Sequence, residues 1–341
     1  MMKRNATIVD IATHLGITPS SVSKAFSNHP RISAETKARV IKTAIKLGYV
    51  PNSLATGLRK GRSGLIGVVV PGIHYSFFST AIKGIEEQVT ANGYNVIIVQ
   101  SRDSFEFERN QLQNLLRAQV EGIIASIAIT TKNYTPFKEV AARVPVVLFD
   151  RTFSRSGLSE VTIDDFQGAV SAVEHLISMG YKRIAHLAGF SHIRPFSKRI
   201  EGYKHALEKH GLRFRQEYIF ECAPNSNEGE FAMERLLKLK TPPDAIFAAS
   251  DFLAYGAMQV AIKNGFKIPR DLGIVGFSNE EFSAQITPAI STIEQYSERL
   301  GSIAANLLID QLAVEKKGGN YVVEKVIVAP KLIIRQSSLR K

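Results

Sequence analysis

Cysteine is almost missing from this sequence: Cys222 stands alone, so no internal disulfide forms and cysteine-based zinc clusters are excluded. A lone thiol agrees with a reducing compartment. Long apolar runs are missing as well, and none approaches the roughly 20 residues that a bilayer span requires, which excludes a helical membrane anchor. The opening stretch MMKRNATIVDIA carries basic charge without the apolar segment and small-residue cleavage site of a secretory signal, so the expectation is a cytoplasmic protein. Catalytic signatures are equally scarce. There is no P-loop, no GxGxxG after the first strand, no HExxH and no G-x-S-x-G, and His14, His186 and His205 are scattered rather than set beside acids at ligand spacing. The sequence reads as a binding protein rather than an enzyme, with no cofactor and no metal expected.

What is present is a chain of 341 residues, too long for one compact core and suited to one small and one or two medium domains. Its composition, 45% hydrophobic and 22% charged, is ordinary for a globular protein. The charge is unevenly placed. Residues 1–63 hold eleven Lys and Arg against only Asp10 and Glu35, so +9 of the net +12 lies there and the remaining chain is close to neutral. A small basic module on a near-neutral body fits a polyanion partner, either nucleic acid or an anionic membrane surface.

Pattern separates these possibilities. In TIVDIATHL, Ile8, Ile11, Ala12 and Leu15 fall at i, i+3, i+4 and i+7, which predicts a short amphipathic helix capped by Thr7 and stopped by Gly16. Thr18 caps a second helix that opens at Pro19 and runs to about Asn28, with Val22, Ala25 and Phe26 inward and Pro19, Ser20, Ser21, Ser23 and Lys24 outward. A third helix begins at Ser33, carries Val40, Ile41, Ala44, Ile45 and Leu47 as its apolar stripe, and closes at Gly48. Such an arrangement is a helix-turn-helix, whose second helix enters the DNA major groove by its N-terminal end. A three-helix bundle that binds another protein is the plainer alternative.

From residue 65 apolar runs alternate with helical patterns. LIGVVV, NVIIVQ, GIIASIA and VPVVLF form a first βα set, and RIAHLAG, YIFECA, DAIFAAS, LGIVGFS and a terminal VEKVIVAPKLIIR form a second. Repeated βα order predicts parallel sheets covered by helices on both faces. Between head and body, PNSLATGLRKGRSG is rich in Pro, Gly, Ser and base and reads as a linker.

The stretch from Ala6 to Leu58, with its TI-DIA start, S-VSKAFSN second helix and LGY-PN exit, closely resembles the headpiece of the lactose-repressor (LacI/GalR) family of bacterial transcriptional regulators. The likeness continues through IGVVVP, HLISMGYKRIAHLAG, EGY, ASDFLAYGAM and IVGFSN, and so spans nearly the whole chain. It implies an all-α headpiece over residues 1–50, a hinge over 51–64, and a two-lobed periplasmic-binding-protein-like α/β sensor over 65–341. The N-lobe is expected at about 65–162 and 293–322 and the C-lobe at about 163–292 and 323–341, with chain crossings near Ile163, Ile293 and Val323. By the resemblance Pro19, Ser20 and Lys24 read bases, while Thr7, Thr18, Ser21, Ser23 and Asn28 cap helices or meet phosphates. Lys24 stands where Arg is frequent, which keeps the charge and loses the bidentate fork. The hinge would fold on DNA and wedge Leu58 into the minor groove, flanked by Ala55 and Arg59.

The same resemblance places an effector at the strand ends between the lobes, with Phe77, Phe78, Asp150, Arg151, Arg199, Ser250, Ser278 and Gln295 as candidate contacts. Many members carry an acid at the position of Ser278 and Asn at that of Ser250; both are Ser here. His192, Arg194, Lys198 and Arg199 crowd one loop, and Arg suits carboxylate or phosphate. The expected effector is therefore a carbohydrate, with an anionic one such as a uronate or sugar phosphate favoured by that loop; a purine or nucleoside stacked on Phe77 or Phe78 is the alternative. A transport protein of the same two-lobed fold is the other rival, opposed by the basic head. A single headpiece makes too few contacts for operator affinity, so a homodimer on double-stranded palindromic operator DNA is expected, with no membrane partner.

Overall fold

The computed structural model describes residues 6–49, 63–153 and 156–340. Its contacts divide the chain into two units, Met1–Ser63 and Gly64–Lys341. The expected hinge contacts Ala55, Leu58 and Arg59 lie outside the described residues.

The first unit contains α1 (Ile8–Leu15), α2 (Pro19–Phe26) and α3 (Ala34–Leu47). Each helix starts on a side-chain cap. Thr7 accepts from the Asp10 amide while Asp10 returns the bond to the Thr7 amide at 2.7 Å, and Thr18 and Ser33 accept from the amides of Ser21 and Thr36. Gly16 and Gly48 close α1 and α3 in the left-handed conformation, at φ 65° and 67°. The core is Ile11, Ala12, Val22, Ala25, Val40 and Ala44, ringed by Ile8, Leu15, Phe26, Leu47 and Tyr49. One expectation fails here. Ile41 and Ile45 were assigned to the apolar stripe of α3, but they are 50% and 76% exposed, because Val40, Thr43, Ala44 and Leu47 already fill the inward face and positions 41 and 45 turn about 100° away from it.

The second unit has two lobes. In the N-lobe, β1 (Leu65–Val70), β2 (Asn95–Gln100), β3 (Gly122–Ala125), β4 (Val146–Phe149), β5 (Ser159–Ile163) and β11 (Lys325–Val328) form one parallel sheet in the order β11-β5-β4-β3-β1-β2. In the C-lobe, β6 (Ile184–Ala188), β7 (Ile219–Glu221), β8 (Ala245–Ala248) and β9 (Gly273–Val275) form a parallel sheet ordered β7-β6-β8-β9. Buried strands such as β3 and β4 read as unbroken apolar runs because helices cover both faces. In the N-lobe these are α4 (Ser76–Ala91), α5 (Phe105–Arg117), α6 (Thr135–Ala141) and α12 (Ser297–Glu315); in the C-lobe they include α7 (Asp165–Ser178), α8 (Arg194–Lys209), α9 (Ser226–Leu237) and α10 (Asp251–Lys263), with the short α11 (Glu281–Gln285) following β9. Helices α4 and α12 approach through paired glycines. A Cβ on Gly84 would lie 2.1 Å from the Glu298 carbonyl oxygen, and one on Gly301 2.0 Å from that of Ala81.

The chain crosses between lobes after β5, after β10 (Thr292–Glu294) and after β11, ahead of β12 (Lys331–Ile333), which pairs antiparallel with β10. The first two crossings fall at the expected positions. The third does not. Residues from 323 onward were assigned to the C-lobe, yet β11 pairs with β5 in the N-lobe sheet, and the crossing comes at Ala329–Pro330, where proline has no amide to continue the ladder.

Candidate functional site

On the headpiece, the second helix offers its N-terminal end to solvent. Pro19, Ser20 and Lys24 are exposed, and neither the Ser20 hydroxyl nor the Lys24 ammonium is engaged by the protein among the described residues. Ser21 is less free: its hydroxyl sits 3.0 Å from that of Thr18 and its amide is spent on the cap, so these two residues set the helix start. Asn28, at φ 54°, makes the left-handed turn that ends α2, and its carbonyl accepts from Lys37 at 3.4 Å. Ser23 is half-buried on the same helix, and Thr7 is the exposed cap of α1. The N-terminal amides of α2, an exposed ammonium and free hydroxyls on one short helix suit phosphate oxygens and base edges.

The sensor unit brings all eight strand-end candidates together. Phe77, Phe78, Asp150, Arg151, Arg199, Ser250, Ser278 and Gln295 line one small cleft, open to solvent, between the lobes. Asp150 follows β4 in the left-handed conformation, at φ 59°, and is aimed inward by it; burial pushes its carboxyl up from the ordinary range against the pull of Arg151 and Arg199. Arg151 binds Asp103 at 2.5 Å and lies over the Phe78 ring. Arg199, from α8, donates to Asp165 at 2.8 Å and to the Ala249 carbonyl at 2.7 Å, with its guanidinium 3.6 Å from the centre of the Phe277 ring. Ser278 holds φ 117° and accepts from Gln295 at 2.9 Å, and Ser250 caps α10 through the Leu253 amide. Phe78 is also a core side chain, edge-on to Phe77 and Phe149, whereas Phe77 is only half-buried.

The basic loop behaves otherwise than expected. His192 is 2.9 Å from the Ile129 carbonyl oxygen, Arg194 donates to Thr152 and Glu160 at 2.9 Å, Lys198 binds Glu201, and Arg199 binds Asp165. Arg194, Lys198 and Arg199 each have an acid partner within the protein, and the His192 ring meets a backbone carbonyl. Of the four, only Arg199 lines the cleft. His192 and Arg194 instead tie the C-lobe to the N-lobe.

Sequence reasoning missed Tyr75, Phe196, Phe252 and Glu280 in the lining. Phe196 lies one helical turn before Arg199 and Glu280 two residues beyond Ser278, so widening each strand-end position by a turn would have found them. Glu280 accepts a hydrogen bond from Ser76 of the opposite lobe, and burial together with the nearby Asp251 pushes its carboxyl up to about 7. Among the described residues no cluster of metal-ligating side chains occurs and no helix is long and apolar enough to cross a membrane.

Comparison with known proteins covers both units. Residues 7–52 match the family described as bacterial regulatory proteins of the lacI family, and residues 173–338 match the periplasmic binding protein-like domain. The chain is 34% identical to catabolite control protein A of Priestia megaterium, over 93% of this chain and 96% of that one. It is 31% identical to the ribose operon repressor of Halalkalibacterium halodurans, over 97% of each. Among solved structures, the lac repressor dimer bound to operator and an anti-inducer superposes with a TM-score of 0.88 at 24% identity, covering 98% of this chain and 100% of that one, a likeness of fold.

Proposed function

The chain belongs to the lacI family of bacterial regulatory proteins and is an effector-controlled, DNA-binding transcriptional regulator; from that premise we propose that it represses from a palindromic operator as a homodimer, with a small hydroxylated carbohydrate in the cleft setting its grip on DNA. Residues 1–50 serve as the DNA headpiece, 51–64 as the hinge and 65–341 as the sensor, and catalysis has no part in this reading.

The observation that carries it is the cleft itself. Eight polar and aromatic strand-end residues from both lobes converge there. Asp150 and Glu280 accept hydroxyl hydrogens, Arg151 and Arg199 have donors to spare beyond their acid partners, and Phe77 offers an apolar face to a ring. Since Asp103 and Asp165 neutralise the two arginines, the lining favours a neutral polyol over an anion. The naming of a relative as a ribose operon repressor points the same way. Phenyl rings at Phe77, Phe196 and Phe252 keep a nucleoside as the second reading.

On the DNA side, Lys24 is the decisive residue. A palindromic duplex selected from a random pool should bind the full chain with an affinity whose logarithm falls linearly with that of salt. Lys24→Ala should cost roughly 1–3 kcal/mol on that duplex and little on random DNA, as for a base contact. Equal losses on both would make Lys24 a phosphate contact, and a pool that yields no preferred duplex would overturn the operator reading.

A further inference from the structure

The covalent connection from the headpiece enters the sensor at Gly64, the first residue of the second unit. Gly64 is held at both of its backbone groups. Its carbonyl accepts from the Asn95 amide at 2.8 Å, and next to it the Leu65 carbonyl accepts from the Glu121 amide at 2.8 Å; these bonds continue the parallel ladders of β1 toward β2 and β3. The remaining bond comes from a side chain. The Gly64 amide donates to the Glu121 carboxylate at 2.7 Å, and a hydrogen bond to an ionised acceptor is about twice as strong as a neutral one. The same carboxylate faces a cation. Lys316, the first residue past α12, holds its ammonium 3.7 Å from Glu121 Oε2, donates to the Tyr94 hydroxyl and lies 4.7 Å from the centre of the Tyr94 ring.

We propose that Glu121 and Lys316 are positioning residues for operator binding: together they fasten Gly64, and with it the sensor end of the hinge, to α12, which brings the state of the cleft to that point. The inference rests on the reading that an effector in the cleft sets the grip on DNA, and it names residues that carry the message. Helix α12 has the right two ends. It runs for 19 residues, about 28 Å, from Ser297 to Glu315. Only Gln295 and Tyr296 separate its start from β10 and the second crossing between lobes, and Gln295 lines the cleft and donates to Ser278 of the C-lobe at 2.9 Å. At the far end the helix is seated tightly beside Glu121, since a Cβ on Gly122 would lie 2.9 Å from the Leu308 side chain. A rigid helix displaced where the lobes meet is displaced at Lys316 too. Holding Gly64 in advance also spares DNA binding part of the entropy of ordering the hinge. Loss of the anchor therefore weakens operator binding with and without effector, and loss of the tie to α12 dulls the difference between the two.

Fluorescence anisotropy of the selected palindromic duplex with the full chain tests this, without sugar and with saturating levels of whichever of D-ribose, D-glucose and D-galactose binds most tightly by calorimetry. Lys316→Met keeps the Gly64 bond and cuts only the tie to α12. Operator affinity without sugar should stay within about twofold, and the factor by which sugar changes it should fall at least threefold. Glu121→Ala cuts both links, so operator binding without sugar should weaken fivefold or more, although removal of an acid favours DNA on charge alone. Its response to sugar should fall as far as that of Lys316→Met, and the double variant should lose no more, as expected of two residues in one link. Sugar affinity should stay within about twofold throughout, and melting curves check that each variant folds; a merely structural role would lower melting and leave the response intact. A full response in Lys316→Met would overturn the tie to α12, and unchanged operator affinity in Glu121→Ala would overturn the anchor. A parent chain whose operator affinity no sugar alters would overturn the carbohydrate reading instead, and the anchor would then stand or fall on Glu121→Ala without sugar.

Discussion

On the headpiece, Pro19, Ser20 and Lys24 stand exposed with their side-chain polar atoms unclaimed, while in the cleft Arg199 and Gln295 are buried, Asp150 is partly buried, and their polar groups are already bonded. The two regions meet their ligands differently for that reason. On the proposed function the head gains its hydrogen bonds on binding, so its reading residues are free to vary without cost to the fold. On the same proposal the cleft's bonded side chains bind effector as well as brace the protein, so substitution there changes both.

The largest expected effect comes from Arg199→Ala. It leaves Asp165 buried without its cation and the Ala249 carbonyl without a donor, and should cost about 3–5 kcal/mol in urea unfolding as well as the response to effector. A loss below about 1 kcal/mol would erase the contrast with the head. Glu280→Gln is next. Glu280 titrates near 7 in the fold against 4.5 for an ordinary glutamate, so the native state holds its proton longer and stability falls as pH rises from about 4.5 to about 7. The Gln variant should lose that part of the slope and gain about 1–2 kcal/mol at pH 8 after allowance for solvent screening, read as melting temperature against pH. An unchanged slope would show that Glu280 is not held protonated. Ile45→Ser should do least, within about 0.5 kcal/mol, because Ile45 is exposed on α3. A loss of several kcal/mol in the melting of the first unit would return it to the core.

Much of this was legible beforehand, and the failures have physical causes. Helix starts at Thr7, Thr18 and Ser33 were readable because caps need particular oxygens at particular places. Strand β5 was not seen, since SEVTI alternates polar residues that are nonetheless buried: Ser159 accepts from Gln311 and Glu160 from Arg194 and Lys325, partners far off in sequence. The segment VEKVIVAPKLIIR read as one strand because both halves are apolar, and only its pairing splits it between sheets. The eight cleft residues were found through strand ends and family likeness together. What the chain order could not convey is which charges pair: His192 and Arg194 reach the N-lobe, while Lys198 and Arg199 bind acids of their own lobe.

Effector control requires coupling between sugar binding and operator binding. The direct test is fluorescence anisotropy of the selected palindromic duplex, titrated with the full chain in the presence and absence of saturating levels of the tightest-binding sugar. A regulator with typical coupling of about 1–3 kcal/mol should show operator affinity changed by roughly 5- to 150-fold, and the duplex should change sugar affinity by the same factor. Sugar that binds with full occupancy and leaves operator affinity untouched would contradict it.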